Sequence, residues 1–228
     1  MKVETLEAIL SAREARDARV RIVWLDDGRE LLVSNPNEIS EDPAVAAAVA
    51  DTLAGDRGRL VESEAGAAFV HPFSPRIRLV IVGAVHIAQR LAALARDLGY
   101  EVTIVDPRRG FLTEARFPGM TLSHEWPDAA LEAHGLDERC AVVTLSHDPK
   151  IDNPALEVAL RSSCFYIGAL GSQRTQAKRR DRLRDLGFDD AALARIHGPI
   201  GLDIGARSPA EIAVSIAAEL TACLRKRA

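Results

Sequence analysis

Cysteine is scarce in this 228-residue chain: Cys140, Cys164 and Cys223 are all it has, and none stands in C-x-x-C spacing. With no H-x-x-x-H pair either, a structural metal site is not expected. Two of the thiols lie beside apolar strand-like runs such as Cys140-Ala141-Val142-Val143, which favours buried free thiols in a reducing cytoplasm. An excess of one charge is missing too. The 29 basic and 33 acidic residues leave a net charge of -4, so no global field gathers nucleic acid or anionic lipid. No apolar run approaches the roughly twenty residues that span a bilayer, and the N-terminus is charged and amphipathic rather than an apolar leader. Internal repeats and low-complexity tracts are absent. So is a G-x-S-x-G nucleophile elbow, and Tyr166 is followed four residues later by Leu170, not lysine. These absences point to a soluble, cytoplasmic protein without a nucleophile and base, and with neither nucleic acid nor membrane as partner. What the chain does have is 47% hydrophobic content, enough for a sizeable core.

Residues 1–74 predict a small α+β N-terminal domain. A helix is expected near residues 4 to 17. Val20-Arg21-Ile22-Val23-Trp24-Leu25 and Glu30-Leu31-Leu32-Val33 then flank Asp26-Asp27-Gly28-Arg29, two β-rich runs about a D-G turn. A second helix fits Pro43 to Ala54, with Asp42 as N-cap and Gly55 to end it, and short strands fit Arg59 to Glu62 and Ala67 to His71. Pro72-Phe73-Ser74-Pro75 interrupts helix and central strand alike and sets the boundary to a second domain, residues 75–228.

From Ile77 onward, short apolar runs alternate with helical stretches. Leu79-Val80-Ile81-Val82, a helix from His86 to Leu98, and Glu101-Val102-Thr103-Ile104-Val105-Asp106 make one βαβ unit of about thirty residues. Ala141 to Leu145 precedes a helix expected to start at Asn153-Pro154, and Phe165 to Gly168 precedes one near residues 173 to 186. Ser208-Pro209-Ala210-Glu211 is a capping box opening a helix to about Arg225. Uniformly apolar strands of this kind are buried on both faces. The fold class expected is α/β: a Rossmann-like parallel sheet with helices on both faces, preceded by the small α+β domain. Residues 107 to 126, with few periodic apolar positions, are read as a mobile lid.

The loop Gly83-Ala84-Val85-His86-Ile87-Ala88 follows a strand and opens a helix, where backbone amides favour phosphate. Gly83 supplies a tight turn, but Val85 stands where a dinucleotide fingerprint has its second glycine, which weakens an ordinary NAD grip. Asp106 ends the second strand, a position from which an acidic residue contacts a ribose hydroxyl. A plain crossover without ligand is the competing reading. A second loop, Gly168-Ala169-Leu170-Gly171-Ser172-Gln173-Arg174, offers amides, the Ser172 hydroxyl and Arg174 to an anion; the basic run that follows it reads as a solvated helix face. His86, His147 and His197 fall just beyond strand ends and are expected to face a common cleft with Asp148 and Lys150, although each singly reads as structural.

These pieces carry a resemblance. Ser146-His147-Asp148-Pro149-Lys150, Tyr166 to Ser172 with Arg174, and Ile200-Gly201-Leu202-Asp203-Ile204-Gly205 leading to Ser208-Pro209-Ala210-Glu211-Ile212-Ala213 occur in the order seen in the XdhC/CoxI family of molybdenum-hydroxylase maturation factors. About two thirds of the chain resembles that family. The resemblance implies a cofactor-binding chaperone, not an enzyme, that takes up molybdenum cofactor (molybdopterin, as mono- or dinucleotide) and assists its sulfuration or insertion into an apo xanthine or carbon monoxide dehydrogenase. A cysteine desulfurase and a homodimer are further implied associations. Its implied cofactor residues are Gly83, His86, Asp106, His147, Asp148, Gly168, Gly171, Ser172, Arg174 and Asp203. Two departures stand out: the family's G-A-G-H is Gly83-Ala84-Val85-His86 here, and no cysteine precedes Cys140, so the chain resembles a short variant without the N-terminal Gly-Gly-Cys segment. An NAD(P)-dependent oxidoreductase on the same sheet is the alternative, and an interaction adaptor that has lost its ligand a third.

Overall fold

A strand covered on one face alternates in burial, and β1 (Arg19–Trp24) does so. Val20, Ile22 and Trp24 are buried while Arg19, Arg21 and Val23 are only partly covered. β1 pairs antiparallel with β2 (Glu30–Val33) and β4 (Gly66–Phe73), and β3 (Arg59–Ser63) completes the order β2-β1-β4-β3. The helix α1 (Val3–Glu14) precedes this sheet. α2 (Pro43–Gly55) lays Val45, Ala48 and Val49 in one cluster with Val20, Ile22, Val33 and Val70. The start of α2 is set by Asp42, whose carboxylate accepts from the Val45 amide at 3.1 Å. These elements belong to a unit of Met1 to Pro75 together with the residues from Arg225 onward, and a second unit runs from Arg76 to Leu224. The computed structural model describes residues 1–226.

The second unit is a six-stranded parallel sheet of β5 (Arg78–Val82), β6 (Glu101–Val105), β7 (Thr121–Ser123), β8 (Cys140–Thr144), β9 (Tyr166–Ala169) and β10 (Ile196–His197). All five residues of β5 and of β8 are buried, because helices cover both faces. Leu79 and Ile81 join the core built with α3 (His86–Asp97) and α8 (Pro209–Lys226). Val80 and Val82 join the opposite core, with α4 (Pro127–His134), α5 (Pro149–Arg161), α6 (Gln173–Asp185) and α7 (Asp190–Ala194). Each such aliphatic side chain contributes about 1.5–3 kcal/mol on burial. The α/β class and the Rossmann-like sheet expected from the alternation are what the structure has.

Strand order is β10-β9-β8-β5-β6-β7. The chain runs outward from β5 through β6 to β7, crosses back, and continues from β8 to β10. The reversal falls between β5 and β8, and open α/β sheets bind ligands outside the carboxyl ends of the strands at such a point.

Three local expectations need correction. Pro72 does not interrupt its strand: β4 runs on to Phe73 with Pro72 opposite Val20 of β1, which is tolerated because β3 pairs with β4 only as far as Val70 and leaves that side open. α5 begins at Pro149, not at Asn153, because Asp148-Pro149 is itself a strong start: the Asp148 carboxylate accepts from the Lys150 amide at 2.9 Å and the proline occupies the first helical position. Pro154 then lies inside the helix. The expected lid at 107 to 126 is anchored: Leu112 and Phe117 are each 1% exposed within the α3 and α8 core, and the segment ends in β7, paired with β6.

Candidate cofactor-binding site at the strand ends

At the reversal the loops after β5 and β8 touch. Gly83 has φ +104, and a Cβ there would stand 2.6 Å from the amide nitrogen of Ser146. Glycine is therefore required twice over, by backbone conformation and by the close approach of a second loop. Val85 has φ -91, which any residue adopts, and its side chain packs against the core below. Its backbone needs no glycine.

Asp106 is fully buried with both oxygens engaged. Oδ2 accepts from the Ala84 amide and from Arg108 Nη2, each at 2.7 Å, while Oδ1 accepts from the Arg108 amide and Nε, each at 2.9 Å. Burial pushes its pKa up, but the hydrogen bonds from Arg108 and Ala84 outweigh that and hold it below the usual carboxylate range. The residue placed by sequence at a ribose hydroxyl here clamps the Gly83-Ala84 turn to the end of β6. Arg108, in turn, lies within electrostatic reach of Asp148 and Asp152 at the start of α5.

The second glycine loop divides into different roles. Gly168 is inside β9, where an added Cβ would meet Ile200 Cδ1 at 2.4 Å. It makes room for a side chain rather than for an anion. Gly171 has φ +137 and delivers Ser172, whose hydroxyl accepts from the Thr175 amide at 3.3 Å and caps α6. Arg174 is exposed on the first turn of α6.

Between the α5 and α6 starts lies a buried polar chain that sequence reading missed. Asp152 is 1% exposed and accepts from the Ser146 hydroxyl at 2.6 Å and the Ser146 amide at 3.2 Å. Arg179 sits 3.7 Å from it and donates to Gln176 Oε1 at 2.6 Å, while Gln176 Nε2 donates to the Ala169 carbonyl at 2.8 Å. Burial pushes the Asp152 carboxyl up despite these donors, and pulls Arg179 down against the attraction of Asp152. The available signals were the Asp148-Pro149 start, which puts Asp152 in the first turn of α5, and the 176, 179, 183 spacing that gives α6 one inward row ending on Leu183.

The three histidines part company. His86 opens α3 and lines a cleft of about 420 Å³ with Gln89, Arg90, Arg116, Ser208 and Pro209, between the starts of α3 and α8. No side chain caps α3 and its first turn carries no acidic residue. Arg116 is held there by neutral acceptors, Gln89 Oε1 at 3.2 Å and the Phe111 carbonyl. His147 is exposed after β8 with φ +61, a conformation rare outside glycine. His197 is turned away into the α8 packing: its ring stacks on Tyr166 at 4.6 Å, and Nδ1 lies 3.2 Å from Glu219 Oε1. Glu219 also accepts from the Tyr166 hydroxyl at 2.5 Å and the Gly201 amide at 2.8 Å. Burial raises its pKa, but these donors, His197 first, bring it below the ordinary value. Asp203 is exposed in the loop from β10 to α8, whose Leu202 carbonyl accepts from the Ser215 hydroxyl at 2.5 Å. All these residues share the carboxyl edge of the sheet, but His86 falls on its α3 and α8 side and Asp148, Ser172 and Arg174 on the other. Among the described residues, no group of three or more histidine, cysteine or acidic side chains is placed to hold a metal ion, and no helix is long and apolar enough to cross a membrane.

Comparison with known proteins agrees with this architecture. The chain is 32% identical over 148 residues to the molybdenum cofactor insertion chaperone PaoD of Escherichia coli, spanning 65% of this chain and 40% of that one. It is 32% identical over 153 residues to a protein of Bacillus subtilis described as a probable xanthine dehydrogenase component, spanning 67% and 44%. The chain thus spans less than half the length of these curated relatives. A solved structure described as a xanthine dehydrogenase from Bacillus halodurans superposes with a TM-score of 0.74 at 22% identity, over 99% of this chain and 65% of that one, and shares the fold. A family model described as the XdhC Rossmann domain matches residues 79–220, and the chain belongs to that family.

Proposed function

We propose that this chain is the cofactor-holding part of a maturation factor for a molybdenum hydroxylase of the xanthine or carbon monoxide dehydrogenase type. It binds molybdenum cofactor and passes it to the apo enzyme. The observation that carries this reading is the cleft between the starts of α3 and α8. The first-turn amides of α3, which no side chain caps, and the guanidinium groups of Arg90 and Arg116 suit the phosphate of a pterin tail. The names of the relatives, a cofactor insertion chaperone among them, support the same reading.

In this scheme Gly83 shapes the turn, Asp106 holds it through Ala84, and His86, Arg90 and Arg116 receive the phosphate. His147, Asp148 and Asp203, with the Gly171-Ser172 turn and Arg174, line the rest of the edge where the ring system lies. The left-handed backbone at His147 fits a side chain held out toward a ligand. The bound group itself supplies the molybdenum chemistry to the client enzyme. Sulfuration, with a cysteine desulfurase as donor, and a homodimer belong to the same scheme.

The test is a fluorescence titration of purified protein with molybdopterin released from a denatured molybdenum hydroxylase, alongside NADH and NADPH. Saturable binding of the pterin is expected, weakened about tenfold by Arg116→Ala, a loss of roughly 1.4 kcal/mol. Binding of nicotinamide cofactor alone would instead establish the oxidoreductase reading, and binding of neither the adaptor.

A further inference from the structure

The N-terminal unit holds a recess of its own, about 530 Å³, lined by Trp24, Arg29, Glu38, Glu41, Asp42 and Glu64 among others. Its four named carboxylates outweigh one guanidinium. Hydrogen bonds from Ser34 hold Glu38 below the usual carboxylate range, so it carries its charge at neutral pH. Two buried polar atoms of the lining residues lack partners. Trp24 is 6% exposed and its indole N–H has no acceptor; Asp42, whose Oδ1 caps α2, has no donor at Oδ2. Unpaired buried groups of this kind are uncommon in native folds and call for an explanation. The Arg29 guanidinium lies 4.1 Å from the centre of a Trp24 ring, yet the Arg29 side chain is 55% exposed and its ion pair with Asp27 is long, at 4.0 Å. The recess already accommodates one guanidinium, its own, and holds it loosely.

We propose that this recess binds a basic segment of a partner protein, with an arginine or lysine side chain seated on the Trp24 ring in place of Arg29. Glu41 and Glu64 face the incoming charge. A main-chain carbonyl of the segment accepts from the Trp24 N–H, and a main-chain N–H donates to Asp42 Oδ2. A peptide is the ligand that brings a cation, an acceptor and a donor together; a simple amine brings no acceptor, and an anion meets the carboxylates. The proposal is independent of the cofactor site, since every residue it uses precedes Pro75.

Only two tryptophans occur in the chain, and Trp126 is 55% exposed, so Trp126→Phe leaves Trp24 as the sole tryptophan, excited selectively at wavelengths where tyrosine does not absorb, with little structural effect. The full chain bearing this change is titrated with the blocked peptide acetyl-Gly-Arg-Gly-amide and with its citrulline counterpart, equal in shape and uncharged. A saturable change in Trp24 emission is expected with the arginine peptide, at least tenfold weaker with citrulline. The indole N–H proton resonance moves downfield at saturation. Glu41→Gln combined with Glu64→Gln weakens binding about tenfold, and Arg29→Ala strengthens it by removing the internal competitor. Equal response to the two peptides overturns the proposal. So does an affinity unchanged by the paired glutamine substitutions, or no saturable response in the Arg29→Ala chain, with retained secondary structure checked by circular dichroism.

Discussion

In the antiparallel sheet, β1 alternates buried and half-exposed residues and β4 leaves Phe69 39% exposed, whereas β5 and β8 of the parallel sheet bury every residue. One sheet gathers its apolar cluster against a single helix, α2; the other has apolar cores against helices on both faces. The difference reaches function. Parallel strands end together, so the starts of α3, α5, α6 and α8 gather on one edge and bring their amides with them. An antiparallel sheet has no such edge, and the recess beside β1 must rely on side chains, chiefly Trp24 and its neighbouring carboxylates.

The contrast is most exposed to failure at its glycines. Gly83→Ala puts a Cβ against the Ser146 backbone at a left-handed φ, and a loss of about 3–5 kcal/mol is expected from strain and overpacking together. Gly66→Ala in the antiparallel sheet also has a left-handed φ but meets only the carboxylate end of Asp26, so about 1–2 kcal/mol is expected. Urea denaturation of both variants decides the matter: equal losses would mean that the loop contact at the reversal is not rigid.

Next in size is Asp106→Asn. It keeps the shape but removes the charge that holds Arg108 and the Ala84 amide. About 2 kcal/mol is expected, less than a fully buried pair would give because the Arg108 side chain is 33% exposed. The same variant should weaken pterin binding through the loosened turn. A stable variant with full binding would remove Asp106 from the account.

A smaller effect distinguishes the two units by pH. The Lys2 amide, Arg21 and Thr5 hold Glu30 down to about 2 from 4.5, so its stabilisation is present above pH 4.5 and is lost as pH falls toward 2. Burial raises Asp152 in the parallel sheet, so its contribution has the opposite sign: it is full below the ordinary carboxylate value and is lost as pH rises through the raised one. Glu30→Gln should flatten the acid limb of the stability curve, and Asp152→Asn should remove a slope at higher pH. Matching changes in the two variants would refute the assignment. Smallest is Arg59→Ala, which breaks the exposed pair with Asp51 at 2.6 Å; a thermal melt should register a loss under about 1 kcal/mol.

Much of this molecule was legible from its residues in order. Uniform apolar runs such as Leu79 to Val82 announce strands covered on both faces, the D-G turn announces the β1 and β2 hairpin, and Ser208-Pro209-Ala210-Glu211 announces α8, whose Ser208 and Glu211 bond reciprocally as a capping box. These are local effects, set by propensity, periodicity and capping within a few residues. Neighbours distant in sequence settled the rest. Gly83 is glycine because Ser146 lies against it, Gly168 because Ile200 does, and Asp106 is fastened to Ala84 across 22 residues. His197 leaves the candidate site because Tyr166 and Glu219 take its ring, and Asp152 meets Arg179 only once two helices start side by side. Sequence determined the principal strands and helices and the family to which the chain belongs. Tertiary structure alone decided which polar groups hold the loops and which face the cleft, because a hydrogen bond depends on where its partner arrives.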